Sequence, residues 1–323
     1  MGEPGGIGPD ITLLAWLRRE AHHVPPFIIY ADPALLRARA TALRLSVPIV
    51  ETTPDKTAEV FAKALPVIPL QNSVLATPGK TETVNAAAVI ESITRAVEAA
   101  QAGQASAVVT NPIQKATLKA VGFSSPGHTE FLGELQFKRT GKKARPVMMM
   151  HCESLRTVPL TIHIPLRDVA GAVTAHDLAD VAYILSRALQ VRFKILRPRL
   201  VVAGLNPHAG EAGTIGDEDE RILAPAIARL QKEGLNIRGP LPADTLFHEA
   251  ARETYDAAIT MYHDQALIPI KTLAFDKAVN VTLGLDFIRT SPDHGTALDI
   301  AGAGTAKPDS LIEALKLAAW LAQ

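Results

Sequence analysis

The chain has 323 residues, 47 % of them apolar, with 33 basic and 33 acidic side chains and no formal net charge. That length suits one large or two ordinary domains. No basic block suggests nucleic acid, no acidic tail suggests disorder, and no apolar run reaches the ~18–20 residues of a membrane span. The N-terminus opens on Gly, Pro and Glu, unlike a signal peptide. A single cysteine, Cys152, excludes an internal disulfide and fits a reducing cytoplasm; its ordinary reading is a small buried hydrophobe.

In chain order, Gly2-Glu3-Pro4-Gly5-Gly6-Ile7-Gly8-Pro9 is a glycine-rich loop. A helix follows, roughly Asp10 to Glu20, with Ile11, Leu14 and Leu17 on one face. In a doubly wound fold such a loop follows a strand. Here the chain begins at Met1 inside the loop, so that first strand is either missing or lies upstream of the assigned start. The loop is not GxGxxG, and a direct phosphate role is the weaker reading. Phe27–Tyr30 reads as a strand, Pro33–Leu45 as a helix and Val47–Val50 as a strand. Thr52 to Lys80 is Pro- and Thr-rich and reads as irregular. The spacing predicts a helix over Val84–Gln101 and a buried strand over Ala105–Thr110, with Lys115 one turn into the next element. Further strands are predicted at Val147–Met150, Val158–Ile162, Leu200–Leu205, Ala257–Tyr262 and Val279–Leu283. Further helices are predicted at Thr174–Val191, Asp217–Lys232 and Ser310–Leu321. Such alternation argues for α/β layers around a largely parallel sheet.

Three apolar runs share one design. Val158–Ile162 runs into His163, Leu200–Leu205 into His208 and Ala257–Tyr262 into His263. Ligands of parallel α/β sheets sit beyond the carboxyl ends of the strands. Neutral imidazole is a good ligand for a divalent transition metal, and three of them leave room for a substrate atom. The separations, 45 and 55 residues, are too long for spacing to prove a site; each histidine can equally cap its own strand. Asp264, beside His263, can orient a ligand or act as a base. Asp244 stands where an N-cap belongs before a helix. Glu211 suits a turn or a supporting partner. Gly127 and His128 precede an amphipathic helix that Thr129 can cap, and a helix N-terminus suits phosphate or carboxylate. Lys271 and Arg289 suit anions, Arg289 with fork geometry. Asn280, inside an apolar strand, needs a backbone or ligand partner. The stretch Ser291–Gly302, with His294, Gly295 and Asp299, forms a loop, short helix and closing glycine that can take the adenosine half of a nucleotide.

Taken with their order, these motifs resemble the 4-hydroxythreonine-4-phosphate dehydrogenase family of vitamin B6 biosynthesis. The resemblance runs over essentially the whole chain. It is densest in Gly2–Pro9, Pro126–Phe131, Asn206–Glu211, Gly239–Thr245, Tyr262–Gln265, Asn280–Gly284 and Phe287–Gly302. It implies two α/β/α lobes related to the isocitrate and isopropylmalate dehydrogenases, with an active-site cleft between them. Residues 1–124 and 291–323 would form the nucleotide lobe, and 125–290 the metal and dimerisation lobe. It implies that His163, His208 and His263 hold a divalent metal, zinc first and magnesium or cobalt as alternatives. Substrate contacts fall on His128, Thr129, Lys271, Asn280 and Arg289, and NAD or NADP contacts on His294, Gly295 and Asp299. It further implies a cytoplasmic homodimer with a site shared by both subunits, and a short apolar strand ahead of the Gly-Glu-Pro loop.

The reaction so implied oxidises 4-phosphooxy-L-threonine to 2-amino-3-oxo-4-phosphooxybutanoate, which decarboxylates to 3-amino-2-oxopropyl phosphate. Lys271, Asp244 or Asp264 would serve as the base. The alternative within the family is oxidation of 4-phospho-D-threonate, 4-phospho-D-erythronate or an aromatic cis-dihydrodiol. A phosphate acyltransferase on a similar fold, and a chain that has lost activity, are the readings from other classes; the retained His163, His208, His263 and Lys271 argue against the last.

Overall fold

The computed structural model describes residues 1–123, 125 and 127–323. By contact the chain divides into one unit of Met1–Pro146 with Leu285–Gln323, and a second of Val147–Gly284.

The first unit opens with the glycine-rich loop, then α1 (Gly8–Leu17), β1 (Ile29–Ala31) and α2 (Pro33–Ala42). Helix α2 starts where local chemistry dictates: Asp32 accepts from the Ala34 amide at 2.8 Å and Pro33 stands in the first turn. Strand β2 (Ile49–Glu51), α3 (Thr57–Phe61), β3 (Leu65–Pro69), α4 (Ala86–Gln101), β4 (Ala107–Val109), α5 (Lys115–Ala120) and α6 (His128–Thr140) follow. Strands β1, β3 and β2 form a parallel three-stranded sheet with β3 in the middle. The segment read as irregular therefore contains the central strand of that sheet. Pro66 and Pro69 hide it, because proline argues against a central strand. The ladder survives because other residues carry it: Leu65 donates to the Pro48 carbonyl at 2.8 Å and Thr52 to Val67 at 3.0 Å.

The second unit holds β5 (Val147–Cys152), β6 (Leu155–Pro159), α7 (Leu166–Ala172), α8 (Ala175–Val191), β7 (Leu200–Ala203), α9 (Ala224–Lys232), β8 (Ile237–Leu241), α10 (Glu249–Arg252), β9 (Ala257–Thr260), α11 (His263–Ala274) and β10 (Val279–Leu283). The strand order is β10-β5-β6-β9-β7-β8. Strands β6, β9, β7 and β8 are mutually parallel; β5 runs antiparallel to both its neighbours. Met150, Leu155, Val201, Ala258 and Ile270 lie at the centre of its core. Helix α11 is absent from the sequence reading, which takes Ala257–Tyr262 as a strand and assigns no element to the ionisable residues that follow it. Pro269 lies inside it and obscures the 3.6-residue period.

The chain then returns to the first unit as β11 (Ile288–Pro292), parallel to β4, and α12 (Asp309–Leu321). The expected division at 124/125 and 290/291 thus differs from the packing, and Ser124 itself lies outside the described residues, as does Pro126 of the Pro126–Phe131 stretch. Phe131 and Leu132 of α6 pack with Val89, Val97 and Val108, which ties α6 to the first unit. The β4–β11 ladder does the same for Arg289. Among the described residues no helix is long and apolar enough to cross a membrane.

Candidate active site

The three histidines leave three adjacent parallel strands, β6, β9 and β7, at the same edge of their sheet. Each strand ends earlier than its apolar run suggests, so each histidine sits on a connection. His163 is four residues past β6, His208 is in the turn after β7, and His263 is the first residue of α11. The connections are bonded to one another. The Thr161 amide and hydroxyl both donate to the Met261 carbonyl, at 3.2 and 2.7 Å. Gln265 accepts from the Met261 amide at 2.7 Å and donates to the Gly204 carbonyl at 2.9 Å. The exits of β6, β9 and β7 therefore form one hydrogen-bonded frame.

His208 lies in left-handed backbone, as do Ala209, Glu211 and Ala212, with φ between 42° and 55°. Such a run of non-glycine residues is strained and persists only where its surroundings impose it. Asp219, fully buried, supplies that constraint. Its carboxylate accepts from the Leu205 and Asn206 amides at 2.8 and 3.0 Å and from the Asn206 side chain at 3.1 Å. Glu211 is a turn residue of this loop. Sequence reading misses Asp219, because nothing local marks a carboxylate eleven positions beyond His208 as its anchor.

The His163 and His263 rings lie 5.8 Å apart, centre to centre. Two imidazoles sharing one ion at about 2.0–2.1 Å would place their centres roughly 5 Å apart. His263 Nδ1 bonds Asp264 at 2.7 Å, which fixes the ring and leaves Nε2 as the donor atom. Among the described residues, no group of three or more His, Cys, Asp or Glu side chains is close enough to hold a metal, so His208 does not join the pair within one chain. Asp244 does not cap a helix: it lies exposed in the one-turn 3-10 helix Ala243–Thr245, packed beside the His208 turn. Lys271 is two turns along α11, about 12 Å of helix from His263, with its ammonium 5.8 Å from the Phe275 ring. Asn280 pairs with Met150 in the ladder and leaves its side-chain oxygen buried without a partner.

A second cluster lies in the first unit. Helix α6 begins at His128 with Gly127 as N-cap and no side-chain cap. Thr129, expected to cap it, does not, and the first amides stay open to an anion. His128 buries Nε2 without a partner. Burial, then the charges of Arg289, the N-terminus and Lys115, hold its pKa well below the usual value, so the ring is neutral at pH 7. Arg289, buried on β11, is held by Thr110, whose hydroxyl accepts from Nε at 3.2 Å and Nη2 at 2.7 Å. Burial lowers Arg289 to about 10, so it stays charged. Lys115, not among the residues singled out as site contacts by sequence, belongs to this positive field.

The glycine-rich loop is structural. The amides of Glu3, Gly5, Gly6 and Ile7 are all used, on the Pro112 carbonyl, the Glu3 side chain, the Glu3 carbonyl and the Thr296 carbonyl. A Cβ on Gly5 would stand 1.8 Å from the Lys80 carbonyl oxygen, so only glycine fits. Buried Arg39 donates to the Pro4 and Gly6 carbonyls and pairs with Asp10, whose other oxygen accepts from the Gly302 amide at 2.7 Å. The loop thus seats the stretch from His294 to Gly302, where His294 Nε2 is buried without a partner and Asp299 is exposed.

A mostly parallel α/β chain with imidazoles at three neighbouring strand exits, and an uncapped helix start beside a buried arginine, defines an α/β enzyme for an anionic substrate. Residues 23–318 match the family model described as pyridoxal phosphate biosynthetic protein PdxA. A curated 4-hydroxythreonine-4-phosphate dehydrogenase of Methylorubrum populi is 58 % identical over all of this chain and 93 % of its own length. A crystal structure of 4-hydroxythreonine-4-phosphate dehydrogenase from Klebsiella pneumoniae is 35 % identical with TM-score 0.86, over 100 % of this chain and 96 % of that one. A terephthalate 1,2-cis-dihydrodiol dehydrogenase structure from Burkholderia xenovorans is 26 % identical with TM-score 0.64, over 98 % and 95 % of the two chains. The chain belongs to the PdxA family of pyridoxal phosphate biosynthesis and is an oxidoreductase.

Proposed function

We propose that the enzyme oxidises the secondary alcohol of 4-phosphooxy-L-threonine, with NAD or NADP accepting the hydride, and that the 3-oxo acid formed decarboxylates to 3-amino-2-oxopropyl phosphate. The observation that carries the reading is the pairing of His163 with His263 on a frame that also holds the His208 turn. With His208 supplied across the proposed dimer, the donor set would suit a divalent metal, zinc first, with magnesium or cobalt as alternatives. Three neutral imidazoles would leave its charge intact, and such an ion supplies Lewis-acid polarisation of an alcohol oxygen.

The chain's own residues do the rest. Asp264, bonded to His263, positions that ring and is thereby taken from the role of base. Lys271 and Asp244 remain for the proton of the substrate hydroxyl. Arg289, Lys115 and neutral His128, with Thr129 and the open α6 amides, receive phosphate or carboxylate; the unpartnered Asn280 oxygen and Lys271 supply polar contacts in the second unit. His294, Gly295 and Asp299 hold the nucleotide. The working form is a cytoplasmic homodimer with both subunits contributing to each site. What supports the dimer is exposed apolar surface around the site residues: Ile164 and Leu166 follow His163, and Ile268 on α11 and Phe275 just past its end flank Lys271.

The test is NAD(P)H formation from 4-phosphooxy-L-threonine, with EDTA and with re-added zinc, beside 4-phospho-D-threonate, 4-phospho-D-erythronate and an aromatic cis-dihydrodiol. Turnover of the amino substrate that EDTA abolishes and zinc restores is expected. Preferential turnover of another substrate by the metal-loaded enzyme would overturn the substrate assignment.

A further inference from the structure

We propose that the buried pair Asp10–Arg39 sets the affinity for the nucleotide cofactor, as a positioning device that holds His294–Gly302 in the shape that receives it. This role rests on the nucleotide reading of that stretch. Asp10 lies in the first turn of α1 and Arg39 in the last turn of α2, and they are 0 % and 3 % exposed. One Asp10 carboxylate oxygen accepts from Arg39 and the other from the Gly302 amide at 2.7 Å. The same guanidinium donates to the Pro4 and Gly6 carbonyls, each at 3.0 Å. A buried ion pair often stabilises a fold no better than apolar side chains of similar volume. What this one adds is a fixed acceptor, in a fixed direction, for the Gly302 N–H.

The stretch is held at two points and open between them. At the first, the Thr296 carbonyl accepts from the Ile7 amide at 2.9 Å, and a Cβ on Gly6 would stand 2.8 Å from that carbonyl oxygen. At the second, Gly302 turns with φ 74° against Pro78, where an added Cβ would stand 2.8 Å from the Pro78 Cβ. Gly302 has no side chain to anchor it, so its amide carries the tether. Between the two points Ala297 also has left-handed backbone, φ 43°, and leads into the one-turn 3-10 helix Leu298–Ile300. Such strain in a non-glycine residue persists only where its surroundings impose it. The outer face offers what a ligand would use: His294 Nε2, buried without a partner, the exposed Asp299, and Gly295, where a Cβ would meet nothing within 4 Å. Releasing Gly302 lets Ala297 relax, and His294, Gly295 and Asp299 lose their common geometry. Loss of pre-organisation is read as loss of affinity.

The test titrates the full-length protein with NADH and with NADPH by fluorescence, beside Tm and retained zinc. A variant combining Asp10→Leu with Arg39→Met replaces the pair by apolar side chains. Its Kd for the bound nucleotide should rise at least tenfold, while Tm, zinc content and the KM for 4-phosphooxy-L-threonine at saturating nucleotide stay near those of the parent. Arg39→Lys, which keeps a charged partner for Asp10, should hold Kd within threefold. Equal nucleotide affinity in the double variant would overturn the positioning role, and so would a parallel rise in the substrate KM, which marks general loosening. Amide exchange on the unaltered protein reads the same tether without a substitution. The Gly302 amide should exchange slowly before nucleotide is added, and protection that appears only with NADH or NADPH would overturn a pre-formed device. Gly295→Trp, which the open space at that residue admits, distinguishes this role from the nucleotide reading. If it raises Kd while the double variant does not, only the positioning role falls; if it leaves Kd unchanged, the nucleotide is not held by this loop and both fall.

Discussion

Arg289 shows how much of the site rests on single side chains. It sits on a strand in a residue-by-residue parallel ladder, opposite Val108. Its guanidinium is 4 % exposed as a residue and held by Thr110. In the role proposed for it, such a guanidinium would recognise phosphate or carboxylate with a planar geometry that an ammonium cannot copy. Arg289→Lys should therefore lower kcat/KM about 10- to 100-fold, because charge-assisted hydrogen bonds are worth about 1.5–3 kcal/mol. Lys115→Gln, which removes charge without removing the fork, should raise KM several-fold and leave kcat nearly unchanged; an equal fall in kcat would place Lys115 in the chemical step. The sequence shows Arg289 as a charge in an apolar stretch. It does not show that Thr110 holds it, because that contact spans 179 positions.

At the scale of elements, the strand exits are what the sequence displays best. Apolar runs that stop at His163, His208 and His263 are legible, and the sheet does place those three strands side by side. The frame between them is not legible, since Thr161, Gln265 and Asp219 act across about 14 to 100 positions. Asp219 gives a prediction at this scale. Asp219→Asn replaces a charged acceptor of three N–H groups by a neutral amide, and the left-handed run at His208 loses its anchor. Retained metal should fall about 10- to 100-fold, as for other groups that orient a ligand, with a drop in Tm but an intact far-UV circular dichroism spectrum. His208→Ala should lose metal and nearly all turnover while remaining folded; unchanged metal content would remove His208 from the ligand set. The misread elements have physical causes too. Strand β3 and helix α11 carry internal prolines, and tertiary pairing overrides what proline argues against.

For the molecule as a whole, acid should be the weak side of the stability curve. His151 is held at about 3 by burial, then by Arg156, and its Nδ1 is buried without a partner. Its folded pKa lies below the unfolded 6.5, so the unfolded chain takes the proton first as pH falls. Stability is full above about 6.5 and is lost progressively toward 3. Each pH unit costs at most about 1.4 kcal/mol for such a group, so unfolding free energy should fall by roughly 1–2 kcal/mol between pH 7 and 5. His128 acts in the same direction, and Glu91, which burial would raise but which the hydrogen bonds from Gln71, Asn72 and Arg95 together hold at about 2, adds a loss below about 4.5. Urea midpoints at pH 7 and 5 measure the difference, and His151→Phe should flatten it; an unchanged slope would show that His151 does not set it.

The sequence by itself determined the α/β class, the layered alternation, the histidine-bearing strand exits and the family, because apolar periodicity, helix-start chemistry and ordered motifs are local. Tertiary structure alone decided which strands are neighbours, that the glycine-rich loop is a packed joint rather than a phosphate cradle, and that Thr129 leaves α6 uncapped. It also decided that α6 and β11 belong to the first unit. Those facts depend on groups far apart in the chain competing for the same hydrogen bonds and the same volume, and that competition is resolved only when the chain is folded.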